Sequence, residues 1–393
     1  MKQSIFILSA GAEIVSLGLV EFFLKEKHPV TIVTNKHKSL FEELDTELRV
    51  RKVLWHRLTA TETAEQLISL KSNQTEKPIL FSSDDSTLSL LIDNRDKLSK
   101  EFEYTFASNL KGSGYDKQEF FEYLRKPETK YLIPQSNAFD RLDSLIEFIS
   151  SIELPVVVKP STKPASMDMS DFGAKAIIIQ NKSDTTQFSE KLEKAWHISS
   201  TWIVQEACIA EESIEYMWGG ARLASGQIIQ FTAVETLKTP RMGGTTCIVR
   251  STPLEKVAKL ASDLLMAIDF VGLCEISFKK NHNGELKALE LNPRPWLQIN
   301  LAVTAQPNIL RAVTHQSETL NQPNTDYGQT NILWISPERL VASLVKTRLS
   351  WSALYSAYRL STQVLAPPYT SDLIGIRRNW FKQLFHRILP SHD

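Results

Sequence analysis

The sequence predicts a multidomain protein of mixed α/β and α+β class: a parallel-sheet domain first, then a small mixed lobe, an antiparallel sheet and a helical tail. Three observations carry this prediction. Over the first hundred residues short apolar runs alternate with segments of helical spacing, the signature of βαβ units on a parallel sheet. From Ser213 onward strand-like runs follow one another through glycine-bearing turns, the antiparallel pattern. A chain of 393 residues is also too long for one compact core, so two or three lobes are expected.

Taken in order, Ser4 to Leu8 (SIFIL) is a strand, Ala12 to Lys27 an amphipathic helix and Pro29 to Thr34 (PVTIVT) a second strand. Pro78 to Phe81 leads into Ser82-Ser83-Asp84-Asp85, where helical spacing resumes. The turn Ser9-Ala10-Gly11-Ala12-Glu13 lacks GxGxxG and reads as a tight strand-to-helix turn, not a dinucleotide site. Asp84-Asp85 faces the cleft or caps the helix; residue type alone allows both. A second unit opens near Gly112 with a helical segment from Asp116 to Arg125. Leu154 to Lys159 (LPVVVK) is a buried strand ending at Pro160, Ala174 to Ile179 is another, and helical spacing runs to about Trp196 before the strand Trp202 to Gln205. Ile214 to Gly219, Ile228 to Thr232 and Thr246 to Arg250 read as antiparallel strands, and a helix follows from Leu254 to Ile268. Gly272 to Lys279 and Leu286 to Leu291 form a hairpin around Asn283-Gly284. Helical patterns cover Glu338 to Leu360 and Arg377 to Leu389.

Composition narrows the function classes. With 42% hydrophobic and 23% charged residues the chain is an ordinary folding sequence, not a disordered one. The 45 basic side chains balance 45 acidic ones, which argues against nucleic-acid binding through bulk charge. Cys208, Cys247 and Cys274 are widely spaced and form no CxxC pair, so neither a disulfide scaffold nor a cysteine zinc site is expected. The first residues show no secretory signal pattern, acids and a lysine interrupt the early apolar stretch, and the expected location is the cytoplasm.

The segment richest in chemistry is Cys274-Glu275-Ile276-Ser277-Phe278 with Leu289-Glu290-Leu291-Asn292-Pro293-Arg294-Pro295-Trp296. Strand alternation places Glu290 and Asn292 on one face, and Glu275 on the partner strand can point to the same side. Two carboxylates and an amide oxygen there make a hard-oxygen site suited to Mg²⁺ that bridges phosphates. The alternative is a solvated sheet face. Acids interrupting apolar strands ahead of a rigid Asn-Pro-Arg-Pro favour the metal.

An acid followed about fifteen residues later by Glu-x-Asn-Pro-Arg resembles the signature of the ATP-grasp superfamily, specifically its carbamoyl-phosphate-synthase-like carboxylate–amine ligases and, among them, D-aspartate-ligase-like members. The resemblance runs over about residues 1–315. It implies a Rossmann-like pre-ATP-grasp domain at 1–111 and an ATP-grasp domain at 112–322. Within the latter lie a small ATP lobe at about 150–208 and a carboxyl lobe at about 209–322. A helical extension at 323–393 is left over. It further implies ATP with Mg²⁺ as cofactors, Mn²⁺ being an acceptable substitute, and small carboxylate and amine substrates. A homodimer is a compatible assembly.

By the same resemblance Glu275, Glu290 and Asn292 hold one or two Mg²⁺, and Arg294 steadies the transferred phosphoryl group or the acyl-phosphate. Lys117, opening a helix, and Lys159, ending an apolar strand, offset phosphate and adenine-side charge. Taken alone Lys117 is equally a solvated helix residue. Glu206 with the main chain near Ala207 and Cys208 reads the adenine edge, Ile209 packs on the ring and Glu215 takes the ribose diol. Arg241, before Gly243-Gly244, holds a substrate carboxylate or is a surface-loop arginine. Lys175 is a second basic residue on the return strand. One departure stands out: Ser161 to Phe172, where relatives carry a glycine-rich phosphate loop, contains no glycine before Gly173.

The implied reaction joins a carboxylate to an amine, or to a thiol, through an acyl-phosphate, with release of ADP and phosphate. It needs positioning and charge neutralisation but no protein nucleophile. No Ser-His-Asp or Cys-His arrangement accompanies the motif, and the eight histidines read as exposed or structural. Two rival readings keep the nucleotide site: carbamate or carboxyphosphate chemistry, and a catalytically weak ATP-binding scaffold. The basic, aromatic stretch 377–389 is amphipathic, so it packs on the body or touches an anionic membrane surface.

Overall fold

A computed structural model describes residues 2–11, 13–35, 41, 49–53, 57–71, 76–105, 129–161, 176–209, 214–239, 245–314, 326–336, 339 and 362–365. The first sheet is built from β1 (Ile5–Ser9), β2 (Val30–Thr34), β3 (Arg49–Lys52), β4 (Ile79–Ser82) and β5 (Glu103–Tyr104). All its pairings are parallel and the order is β3-β2-β1-β4-β5, so the direction of winding reverses between β1 and β4. That reversal opens a crevice at the carboxyl ends of β1 and β4, the place where open α/β sheets take ligands. Strands β1, β2 and β4 are buried on both faces, as a parallel sheet requires, which explains their unbroken apolar runs. The charged edge strand Arg-Val-Arg-Lys of β3 and the two-residue β5 carry no such pattern and escape sequence reading.

Helix α1 (Glu13–Lys25) covers one face of this sheet. The other face meets α2 (Ala60–Ser69) and α3 (Asp85–Asp93), and α4 (Arg95–Leu98) follows, Phe6, Leu8, Ala64, Leu67, Leu88 and Leu98 sharing one core. Asp84 caps α3: its carboxylate accepts from the Thr87 amide at 2.9 Å, and the Thr87 hydroxyl is bonded in return by the Asp84 amide at 3.2 Å.

The second sheet is small and antiparallel, with order β6-β9-β7-β8 from β6 (Ser136–Phe139), β7 (Val156–Pro160), β8 (Ile177–Ile179) and β9 (Trp202–Glu206). β7 includes Pro160 instead of stopping before it. Two helices, α5 (Leu142–Ser151) and α6 (Thr185–Ala195), pack on the face that presents Val156, Val158, Trp202 and Val204.

The third sheet has seven strands in the order β14-β13-β10-β11-β12-β15-β16. Its strands are β10 (Glu215–Arg222), β11 (Ile228–Thr239), β12 (Thr245–Ser251), β13 (Gly272–Lys280), β14 (Leu286–Asn292), β15 (Ile332–Ile335) and β16 (Thr362–Leu365). Helix α7 (Glu255–Ala267) covers Trp218, Cys274, Ile276 and Phe278 on one face. α8 (Ile299–Ala305) and α9 (Asn308–Val313) bury part of the other, together with α1. α1 and α8 approach closely at Gly18, where a Cβ would stand 3.0 Å from Ile299 Cγ2, and Arg311 pairs with Glu26 at 2.6 Å. The parallel-sheet domain is thus joined to the large sheet through a shared core.

The segment after Pro323, expected to be an extension with helices at 338–360 and 377–389, also supplies strands β15 and β16 to the large sheet, so that sheet runs beyond residue 322. Trp334 anchors β15 in the core, its indole N–H donating to Asn300 Oδ1 at 2.9 Å. The helical patterns at 116–125 and 377–389, and 338–360 apart from residue 339, lie outside the described residues. None of the described helices is long and apolar enough to cross a membrane.

Candidate active site

Register decides which side chains of the large sheet meet. Glu275 lies opposite Asn292 and Ser277 opposite Glu290 on the β13–β14 hairpin. On the other side of β13, Glu275 pairs with Gly219 and Ser277 with Met217, while Glu215 of β10 pairs with Glu235 of β11. Alternation therefore gathers Glu215, Glu235, Glu275, Ser277, Lys279, Glu290 and Asn292 on one face, beyond the end of the apolar core formed by Ala221, Phe231 and Leu273. A bulge at Thr236 turns one more residue, Lys238, to the same side. Counted as fully ionised, the four carboxylates and two ammonium groups described on this face sum to two negative charges.

Glu275 is 4% exposed. It accepts from Ser277 Oγ at 2.9 Å and from Asn292 Nδ2 at 2.6 Å. Burial, reinforced by the nearby Glu290 and Glu215 carboxylates, pushes its pKa up to about 8. A buried carboxylate crowded by like charge is a group that a divalent cation stabilises, and two carboxylates with an amide supply oxygens of the kind Mg²⁺ takes. The donor set fits the ion. Among the described residues no three His, Cys, Asp or Glu side chains gather closely enough to hold a metal ion, so the set rests on two carboxylates and the Asn292 amide.

Lys238 escaped sequence reading. Its Nζ bonds Glu215 Oε2 at 2.5 Å and Glu235 Oε2 at 2.7 Å, and Lys279 stands 3.8 Å from the same Glu215 oxygen. The two carboxylates hold the Lys238 ammonium charged despite its burial, while burial pushes the Glu235 carboxyl up.

Arg294 follows the Asn-Pro turn with its side chain 15% exposed. Nε and Nη2 donate to Asp85 Oδ1 at 2.7 and 2.6 Å, Nη1 to Pro295 O at 3.0 Å, and Nη2 lies 3.4 Å from Asn292 Oδ1. The segment is pinned by Trp296, which stacks on Phe231 with ring centroids 6.5 Å apart and lies over Gly219. A Cβ at Gly219 would fall 2.3 Å from Trp296 Cζ2, and the ring is buried with nowhere to move. Gly219→Ala is expected to cost on the order of 3 kcal/mol in urea unfolding, as overpacked cores do. A loss below roughly 0.5 kcal/mol, the size of an ordinary surface substitution, would contradict this packing.

In the small sheet Lys159, Ile203 and Gln205 point away from the helix-packed face. Lys159 is 8% exposed and donates to Gln205 Oε1 at 2.7 Å, while Gln205 Nε2 has no hydrogen-bond partner among the described residues. Gln205, unmarked in the sequence, is the polar side chain that shares the face of Lys159. Glu206 turns to the opposite side. Its carboxylate accepts from Asn281 Nδ2 at 2.9 Å and from the Gln135 amide at 3.2 Å, tying the hinge to the β13–β14 turn. A cavity of about 900 Å³ opens on that side, lined by Gln205, Glu206, Asn281, His282 and Lys287, and by none of the acid-face residues.

After Glu206 the chain leaves the sheet. Ala207 N bonds Pro155 O at 3.2 Å, and Cys208 is buried within electrostatic reach of Glu206, Lys279, Lys287 and Lys159. Burial pushes the Cys208 thiol up to about 12, which disfavours the reactive thiolate. Cys247 and Cys274 are likewise buried and take part in no disulfide.

No protein-family model matches the chain. A D-alanine–D-alanine ligase of Prochlorococcus marinus (strain MIT 9312) is 28% identical over 122 residues, which cover 29% of this chain and 32% of that protein. The match therefore spans about a third of that relative's length. Among solved structures, biotin carboxylase from Campylobacter jejuni in its β-γ-ATP complex superposes with a TM-score of 0.60 at 12% identity, covering 85% of this chain and 74% of that one. L-amino acid ligase from Bacillus licheniformis gives 0.52 at 11% identity, with 75% and 68% covered. The chain has the ATP-grasp fold.

Within the ATP-grasp architecture the structure brings Glu215, Glu275, Glu290, Asn292 and Arg294 onto or beside one face of the large sheet. It places Lys159 on the face of the small one turned away from its helices, and Glu206, Ala207, Cys208 and Ile209 at the end of β9 and in the connection that leaves it. Lys117, Lys175 and Arg241 lie outside the described residues, as do residues 162–173 of the glycine-poor loop.

Proposed function

We propose that the protein is an ATP-dependent ligase that joins a small carboxylate to an amine through an acyl-phosphate. The observation that carries this is the acid face: buried Glu275 register-paired with Asn292, next to Glu290, and followed directly by Arg294. Glu275, Glu290 and Asn292 would hold Mg²⁺, which when bound supplies charge neutralisation on the β- and γ-phosphates. Arg294 faces the developing charge on the transferred phosphoryl group, as a guanidinium suits. Lys159, positioned by Gln205, meets the nucleotide phosphates from the small sheet. The hinge main chain at Ala207 and Cys208 reads the adenine edge, because the Glu206 carboxylate is turned away and engaged elsewhere.

Glu215 is offered as the ribose ligand; it carries Lys238 and Lys279 as counter-charges, so a diol would add to an already bonded carboxylate. Lys117, Lys175 and Arg241 are proposed for phosphate and substrate carboxylate by motif position alone. The domain limit at 111, a cytoplasmic location, a homodimer, Mn²⁺ as substitute metal and a membrane contact through 377–389 belong to the same proposal.

The test is ADP release from Mg²⁺-ATP over a grid of carboxylates and amines, with mass spectrometry of the products. A new amide whose formation matches ADP release is the expected result. ATP binding without turnover in every mixture would instead mark a nucleotide-binding scaffold.

A further inference from the structure

The parallel sheet presents its crevice between the carboxyl ends of β1 and β4, and two adjacent aspartates stand there with different tasks. Asp84 is engaged inside the domain. Its Oδ2 accepts from the Gly11 amide at 2.9 Å and the Ala10 amide at 3.2 Å, while Oδ1 accepts from Ser86 Oγ at 2.7 Å and caps α3 through Thr87. The backbone amides after β1, which elsewhere would receive a phosphate, are thus filled by the chain's own carboxylate. Asp85, the next residue, reaches outward, and its Oδ1 receives both Nε and Nη2 of Arg294 from the large sheet.

Two charge-assisted bonds on one oxygen restrict rotation about the last bonds of the arginine side chain. With Nη1 on Pro295 O and Nη2 beside Asn292 Oδ1, every nitrogen of the guanidinium has a partner, and its plane is set. The alternation of α/β elements puts Asp85 at the first turn of α3, so its backbone is held by the Asp84 cap and not by Arg294.

We propose that Asp85 is a positioning residue: it fixes the Arg294 guanidinium beside Asn292 and so ties the crevice of the parallel sheet to the phosphoryl-transfer end of the acid face. The inference rests on the ligase reading for its catalytic consequence, and on the Asp85–Arg294 contact alone for its structural part. An arginine that must meet a transferring phosphoryl group loses rate steeply when misplaced by about 1 Å, roughly a hundred-fold. Asp85 acts through Arg294 and needs no contact with substrate.

The experiment uses the full chain with Asp85→Asn and Asp85→Glu. In Asp85→Asn, kcat for ADP release is expected to fall by roughly ten- to a hundred-fold, within the range a misplaced group loses, with KM for ATP nearly unchanged. Asp85→Glu, which keeps the charge, recovers part of kcat. The independent readout is the Arg294 Nε–H resonance, assigned by its loss in Arg294→Lys; it is expected to shift and exchange faster with water in Asp85→Asn. A resonance unaltered by Asp85→Asn overturns the proposal. So does a kcat equal to that of the native protein, even if the variant melts at a lower temperature. Should the native protein release no ADP with any substrate mixture, the ligase reading fails, and the resonance still decides whether Asp85 holds Arg294.

Discussion

Replacing Glu275 by Gln is expected to lower Mg²⁺-dependent ATP turnover by roughly a hundred- to a thousand-fold, the loss seen when one preorganised electrostatic group is removed from an active site. Glutamine keeps the shape of the side chain: its Oε1 can accept from Asn292 Nδ2 while its Nε2 donates to Ser277 Oγ, so the hairpin register has no reason to change. What disappears is one of the two carboxylates that match Mg²⁺. The same exchange removes a buried acid crowded by Glu290 and Glu215, so the unfolding midpoint without Mg²⁺ is expected to equal or exceed that of the native protein. A variant that is inactive because it is misfolded would melt early, and this one should not. The measurement pairs ADP release at saturating Mg²⁺-ATP with thermal unfolding in chelator. Turnover within about three-fold of native, far short of a lost electrostatic group, would remove Glu275 from the metal site.

The constellation around Glu275 was legible because two local signals agree. Asn283-Gly284 marks the hairpin turn, where Gly284 adopts φ 76°, and the period of two then puts Glu290 and Asn292 on one face. The irregularity between Ser277 and Phe278 falls outside that pair and leaves it intact. Lys238 illustrates the opposite case. Strict alternation sends it away from Glu235, and only the bulge at Thr236 brings the two together. Helices α8 and α9 were missed for another reason. They are buried against both α1 and the large sheet, so their sequence is apolar nearly all round and shows no stripe. The Asp85–Arg294 bond spans 209 residues, and residue types at that distance say nothing about contact until the fold is known. Glu206 was marked by its place in the hinge motif, but a side chain's direction depends on register with β7, and there Gln205 takes the inward position.

The largest stability effect is expected at the ion cluster that sequence reading passed over. Glu215 and Glu235 stand directly opposite each other on β10 and β11, where like charges repel at close range. Lys238 bridges them with bonds of 2.5 and 2.7 Å, its side chain 13% exposed and that of Glu235 3%. Lys238→Met preserves the length and the apolar stem of the side chain but leaves two carboxylates facing each other, with Lys279 the remaining ammonium paired to them among the described residues, 3.8 Å from Glu215. Removing one partner from a buried ionic group costs about 3–5 kcal/mol, most of it the penalty of the charge left behind. Because that penalty belongs to Glu235 and not to a lost attraction, Lys238→Met with Glu235→Gln should recover most of it, which separates this explanation from lost packing of the lysine stem. Urea unfolding of the native protein, both single variants and the double variant supplies the cycle. A single-variant loss under roughly 1 kcal/mol, the range of an exposed ion pair, or a double variant no more stable than Lys238→Met, would show that the cluster is solvated and that the acid face does not depend on its central ammonium.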